Sequence, residues 1–223
     1  MTRVGGATRD RILVEASRLF AERGYHGTST RDIAEKVGMR QPSIYSHFAT
    51  KHLILAELLD ADLVPARARI RAALDLPAPV AARLHAYLQV DVAAILSLPY
   101  DVRGLYNDDV LRAPELAEQA RRRAEIHDLT RELIDTGIDG GELVPFDTSF
   151  VQHAITGLLL EVVRERGATP STAPAARALD VADFVLRALL LDAKLLNDVR
   201  ARAGALVPHI TALAAPHPEH AGA

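Results

Sequence analysis

The sequence predicts an all-α protein. Apolar residues recur at helical spacing along nearly the whole chain. Strand-type alternation is almost absent, and aromatic residues, which favour strands, make up only 4% of the 223 residues. The expected organisation is a small three-helix domain over residues 9–52, a larger helical domain over 53–214, and a disordered tail over 215–223.

In the first helix, Ile12, Leu13, Ala16, Leu19 and Phe20 form one apolar stripe. Gly24 ends it, and Tyr25 is expected to fold back onto the core. Ser29 can cap a second helix, with Asp32 at capping-box spacing. Ile33, Ala34 and Val37 share its buried face, and Gly38 stops it, because glycine adopts the left-handed conformation just past a helix end. Pro42 suits the first turn of a third helix, where its missing N–H costs nothing. Ile44 and Phe48, four apart, point inward, leaving Ser43, Tyr45, Ser46 and His47 to face elsewhere. Thr50 is a natural cap for a fourth helix, Thr50 to about Ala73.

Pro77 and Pro79 break that helix. The next runs from about Pro79 to Ser97, before Pro99. Residues 100–110 read as a short helix or loop. Pro114 opens a helix over about 114–136, and Gly137, Gly140 and Gly141 mark a loop ending near Pro145. Asp147 caps a helix over about 148–166. A loop rich in Ala, Thr and Pro follows, then helices over about 174–193 and 195–214.

The second and third helices, joined at Gly38, form a helix-turn-helix, and the third carries Gln41, Ser43, Tyr45 and His47, all able to hydrogen-bond. That arrangement reads duplex DNA through the major groove. Charge agrees: residues 1–52 hold nine Lys/Arg against five Asp/Glu, net +4, while residues 53–223 hold seventeen against twenty-four, net −7.

Residues 9–59 resemble the DNA-binding domain of the TetR family of bacterial transcriptional regulators. The resemblance rests on Ala16, Leu19, Phe20, Gly24, Tyr25, Thr28, Ser29, Asp32, Ile33, Ala34, Val37, Gly38, Ile44, Tyr45, His47, Phe48, Lys51 and Leu55. It covers roughly a quarter of the chain, and the run from Ile44 to Lys51 is its most specific part. It implies a cytoplasmic homodimer on double-stranded operator DNA, most often a repressor released by a small-molecule ligand. An activator or a corepressor-dependent regulator stays open. It also implies pairing of late helices as a four-helix bundle. Two stripes suit that role: Val151, Ala154, Ile155, Leu158, Leu159 and Val162, and Leu179, Ala182, Leu186, Leu189 and Leu190. The alternative is that both face their own subunit's core.

The candidate DNA contacts are Thr30, Arg31, Arg40, Gln41, Ser43, Tyr45, His47 and Lys51. By the resemblance, Tyr45 and His47 reach backbone phosphate. Lys51 lies at a helix start, where amides also attract phosphate. Thr30 and Arg31 lie in a first helical turn and can touch phosphate or a groove edge. Gln41 and Ser43 are candidates for base contact, since glutamine can pair bidentately with adenine. Arg40 departs from the family, where a small hydroxyl residue often caps the recognition helix. Arginine cannot cap in that way, but its guanidinium can bind phosphate or a guanine edge.

For an effector site, the only clues are polar or aromatic residues within apolar patterns: His85, Tyr87, Tyr100, Tyr106, Asn107, His127 and His153. The Leu, Ala and Val content favours an apolar or amphipathic effector.

Other classes find little support. The chain has no cysteine, which excludes disulfides and thiolate chemistry. Its first ten residues have no apolar core, so no signal peptide is expected, and no apolar stretch is long enough to span a bilayer. No metal or cofactor is expected: His217 and His220 follow prolines in the tail, with no cysteine or Glu-x-x-His to complete a site. Arg121, Arg122 and Arg123 lie among Glu115, Glu118, Glu125 and Asp128, as on a solvated helix face. An all-α enzyme is the competing class, but no phosphate loop, dinucleotide glycine pattern or nucleophile elbow appears. An architectural DNA-binding protein without a ligand is a third reading, which the size of the second domain disfavours.

Overall fold

The structure, a computed structural model, describes residues 4–168 and 173–213, with side chains over 6–165 and 173–212. Residues 215–223, including His217 and His220, lie outside the described residues. The helices are α1 Val4–Arg23, α2 Thr30–Val37, α3 Gln41–Tyr45, α4 Lys51–Asp75, α5 Val80–Ser97, α6 Asp108–Leu111, α7 Ala117–Asp139, α8 Thr148–Ala168, α9 Pro174–Leu189 and α10 Leu196–Leu213. No strand forms among the described residues beyond one isolated bridge, Leu143 to Leu190. The all-α expectation holds.

The chain divides into two compact units: 1–62 with 98–121, and 63–97 with 122–223. In the first, the α1 stripe from Ile12 to Phe20 is buried, together with Ile33, Ala34, Val37, Ile44 and Phe48. Burying each large side chain contributes about 1.5–3 kcal/mol. Tyr25 folds back as expected, its ring centre 5.4 Å from that of Phe20. Residues 98–121, expected in the second domain, pack with the first unit. A 3-10 turn, Val102–Gly104, lies on α1. The Asp101 amide donates to Ser17 Oγ at 3.0 Å. A Cβ on Gly104 would lie 2.4 Å from the main-chain carbonyl of Phe20, so only glycine fits there.

In the second unit, α5 is buried on nearly all sides, packed on α9 and α10. Its start has no local cap. Instead Glu142, distant in sequence, accepts from the amides of Val80 and Ala81 at 2.9 and 3.0 Å. At the other end of the α4–α5 connection, Arg83 Nη1 donates to the Leu74 carbonyl at 2.7 Å, where a cation suits the end of α4.

Helix boundaries differ from expectation in two places. α7 continues past Gly137 to Asp139. α9 stops at Leu189 rather than near 193. There Val144 N donates to Leu189 O at 2.8 Å and Leu191 N to Glu142 O at 3.2 Å, and Leu190 is extended. Long-range pairing thus replaces the last helical turn, overriding a favourable local propensity.

The α9 stripe follows the alternative reading within this subunit: Ala182, Leu186, Leu189 and Leu190 are buried and Leu179 is half-buried, with α9 packed on α5 and α8. On α8, Val151 and Val162 are buried, Ile155, Leu158 and Leu159 half-buried, and Ala154 exposed. The large apolar side chains that these helices leave outside are others: Phe150 at 67% exposure, Phe184 at 62%, and Leu160.

Candidate nucleic-acid interface

Capping and burial position the face of α3. Ser29 and Asp32 form the reciprocal capping box: Asp32 N donates to Ser29 Oγ at 3.1 Å, and Ser29 N to Asp32 Oδ2 at 2.8 Å. These bonds hold the Asp32 carboxyl below its usual range. Gly38 ends α2 with φ 74°, in the left-handed region. Arg40 is the N-cap residue of α3 and makes no side-chain cap, as its chemistry predicts. Ile44 and Phe48 anchor the inner face. Arg31, Arg40, Ser43 and Tyr45 are exposed, and His47 is half-buried.

Three candidates meet. Gln41 Nε2 donates to Thr30 Oγ1 at 3.1 Å and lies 3.5 Å from the Tyr45 hydroxyl. Thr30 Oγ1 and Tyr45 Oη are 3.2 Å apart. The amide nitrogen of Gln41 is therefore turned inward to the two hydroxyls, where the sequence suggests a free edge. A concavity of about 510 Å³ lies beside this cluster, lined by Ser29, Thr30, Tyr45, Thr50 and Lys51, with His26 and Asp32 also contributing. The starts of α2 and α4 both border it. Helix-start dipoles favour an anion there and the two hydroxyl groups can hydrogen-bond it, while the Asp32 carboxylate, engaged in the capping box, lines the same concavity.

Lys51 is not the freely solvated side chain that is the alternative to a phosphate contact at its position. Its ammonium donates to the carbonyls of Tyr25 and Thr28, each at 2.7 Å. Burial holds the amine below its usual range. Lys51 thus ties the turn before α2 to the start of α4.

Two residues of α1 were missed from the sequence. Arg9 Nη1 donates to the His47 carbonyl at 2.9 Å, and its guanidinium lies 4.0 Å from the Phe48 ring centre. Arg9 also pairs with Glu57. Arg11 Nη2 donates to Val37 O at 2.9 Å, closing the end of α2. Both lie just before or beside the apolar stripe of α1, but only their sequence-distant partners reveal the role.

The profile of the tetR family of bacterial regulatory proteins matches residues 12–58. The HTH-type transcriptional repressor KstR2 of Mycobacterium tuberculosis is 32% identical over 154 residues, 65% of this chain and 75% of the repressor. The crystal structure of AmtR from Mycobacterium smegmatis superposes with a TM-score of 0.77 at 30% identity, covering 92% of this chain and 97% of AmtR. This chain belongs to the tetR family. It is a DNA-binding transcriptional regulator. The structure of KstR2, described as a ketosteroid transcriptional regulator, gives a TM-score of 0.72 at 27% identity, covering 85% of this chain and 98% of KstR2. The transcriptional activator FasR of Mycolicibacterium smegmatis is 27% identical over 117 residues, about half of each chain.

In this tetR-family chain the candidate effector residues fall in both units. Tyr100, Tyr106 and Asn107 belong to the first. There Tyr106 donates its hydroxyl to Asp62, and Asn107 caps α6 by accepting from Asp109 N at 2.9 Å. Tyr100 is half-buried, which raises its phenol, with Asp10 and Glu57 adding to the effect. His85, Tyr87, His127 and His153 belong to the second. His85 is fully buried: its Nε2 lies 2.9 Å from Asp183 Oδ1 and its Nδ1 2.7 Å from Gln89 Nε2. Asp183 also accepts from Arg200 Nε at 2.7 Å. This network joins α5, α9 and α10, and gives His85 a structural role within the core. Tyr87 is likewise a core residue. His127 is half-buried, and burial, reinforced by Arg123, His153 and Arg131, lowers it to about 4. His153 is exposed on α8.

Among the described residues, no three His, Asp or Glu side chains are grouped to hold a metal ion. No helix there is long and apolar enough to cross a membrane.

Proposed function

We propose that this regulator is a homodimeric repressor whose two heads bind operator DNA and are released by a small molecule bound in the larger helical domain. One observation carries the DNA half of the reading. The polar cluster of Thr30, Gln41 and Tyr45 borders a concavity flanked by two helix starts, on an α3 held from behind by Ile44 and Phe48. In this reading a backbone phosphate occupies the concavity. Thr30, Tyr45 and His47 contact backbone, Arg31 adds charge beside it, and Arg40 and Ser43 reach base edges. Lys51 acts indirectly, by holding the turn. The head is residues 9–52 together with the segment that packs on it, and the protein works in the cytoplasm, where the chromosome is.

Repression is favoured by the likeness to KstR2, named as a repressor over most of its length; the activator FasR matches over a shorter stretch. Pairing of two copies through α8 and α9 is supported by Phe150 and Phe184, large apolar side chains left exposed on those helices. An apolar or amphipathic effector follows from the aliphatic content of the body and from the likeness to a ketosteroid regulator. Coupling of about 2.7 kcal/mol would weaken operator binding a hundredfold.

The test is binding of the purified protein to DNA from its own upstream region, titrated against salt. Saturable binding of one fragment over competitor at moderate salt supports the reading. If a genome-wide selection also returns no preferred fragment, the reading fails. Release of the bound fragment by a steroid or acyl-chain probe would test the effector class.

A further inference from the structure

We infer that Arg9, which lies outside the recognition helix, is a positioning residue for DNA binding: it fixes the end of α3 by gripping the His47 peptide and the Phe48 ring, and Glu57 holds it there. This rests on the DNA-binding reading above and adds to it a residue that acts without touching DNA.

α3 is short. Its five residues, Gln41–Tyr45, start without a side-chain cap at Arg40, and a helix of that length has no stability of its own. Its pose depends on what holds it from outside. Ile44 and Phe48 hold it from the core. The amides of His47 and Phe48 both donate to Ile44 O at 2.9 Å and close its last turn. The His47 carbonyl lies beyond that turn and accepts from Arg9 Nη1 at 2.9 Å. His47 is also the residue whose side chain the DNA-binding reading places on the backbone.

The three contacts of Arg9 use different parts of one guanidinium. Nη1 takes the His47 carbonyl, Nη2 takes the Glu57 carboxylate, and the central carbon lies over the Phe48 ring, 4.0 Å from its centre. In-plane donors combined with a stacking face belong to a guanidinium and not to an ammonium. The Arg9 and Glu57 side chains are 39% and 36% exposed, so their ion pair adds little to stability. Its effect is to fix the guanidinium against the end of α3. Arg11 repeats the device on α2, where its Nη2 donates to Val37 O at 2.9 Å. α1 therefore holds both helices of the pair at their C-terminal ends. A direct phosphate contact by Arg9 is the competing role.

The experiment compares wild type with Arg9→Lys, Arg9→Met, Glu57→Gln and Glu57→Met on a selected operator duplex over a range of salt. Amide hydrogen exchange of the DNA-free proteins is measured alongside. Lysine keeps the charge without the flat grip. Both Arg9 variants are expected to bind on the order of tenfold more weakly, with the salt slope of wild type. Exchange is expected to quicken at the His47 and Phe48 amides while Leu19 and Phe20 in α1 keep their protection. A general loss of stability would instead quicken exchange throughout. Glu57→Met is expected to bind more weakly than Glu57→Gln, whose amide oxygen still accepts from Arg9. Both remove the same negative charge, so the field of the head does not separate them. If an Arg9 variant fails to fold, the two Glu57 variants carry the same test.

Wild-type affinity in Arg9→Lys, with Arg9→Met lowering the salt slope by about one unit for each phosphate given up, would place Arg9 on DNA and overturn the role while leaving the DNA-binding reading intact. Unchanged exchange at His47 and Phe48, or equal binding by the two Glu57 variants, would overturn it as well. A wild-type protein that selects no sequence from a random pool overturns the DNA-binding reading itself, and this role with it.

Discussion

Lys51 grips Tyr25 twice: its ammonium donates to the Tyr25 carbonyl at 2.7 Å and lies 4.1 Å from the centre of the Tyr25 ring. A second 2.7 Å bond to Thr28 O completes the hold on the turn that delivers Ser29 to the start of α2. Replacing Lys51 with methionine keeps the aliphatic stem and removes all three contacts. We expect a loss of about 2 kcal/mol in urea unfolding, with weaker operator binding because the turn beside Thr30 loosens. Unchanged stability with weakened binding would instead place the ammonium on phosphate.

Gly104→Ala should act through space alone. The added methyl would meet the main chain of Phe20 and Ala21 at 2.4–2.6 Å. Backbone there belongs to α1 and cannot rotate away as a side chain would. An overpacking cost of about 2–3 kcal/mol is expected, read as a lower unfolding midpoint. Operator affinity at low temperature would show whether the 98–121 segment also sets the pose of the head.

The core network around Asp183 makes a third case. Asp183→Ala leaves buried His85 and partly exposed Arg200 without their shared carboxylate. Removing one partner from such a network costs about 3 kcal/mol, measured by urea unfolding. Asp183→Asn should cost less, because the amide oxygen still accepts one bond. Equal stability of the alanine variant and wild type would count against this account.

His127 sets an acid limit. Its folded value is about 4, against 6.5 for an exposed histidine. Between those values the unfolded chain binds the proton and the folded chain does not, so stability falls as pH drops from about 6.5 to about 4. The ring is half exposed, so we discount for solvent and expect about 1–2 kcal/mol. Burial lowers His85 in the same direction. The difference between wild type and His127→Gln in urea unfolding over this pH range therefore isolates His127. The variant's profile should be flatter, and parallel profiles would refute the assignment.

Arg31 and Arg40 should separate on DNA. Arg31→Ala is expected to reduce the salt dependence by about one unit and leave base preference intact. Arg40→Ala is expected to relax preference at one guanine by about 1–3 kcal/mol. Binding titrations over salt and over single-base operator variants distinguish them.

The helices of the head were legible from the sequence because their determinants are local. Ser29 and Asp32 cap within one turn, Gly38 supplies a left-handed stop, and the stripe from Ile12 to Phe20 has a period that only a helix can bury. Class, helix count in the head and DNA reading all follow from such neighbours. What only the tertiary structure decided depends on partners far apart in the chain. Leu189 ends α9 because Val144 and Glu142 offer backbone pairing. The α9 stripe turns to its own core because α5 and α8 lie against it. Lys51 turns from solvent to two carbonyls of the turn before α2, and the amide of Gln41 turns inward because Thr30 stands 3.1 Å away. A residue's type and spacing state which bonds it can make. Which of them it makes is settled by the groups that folding brings within hydrogen-bond range.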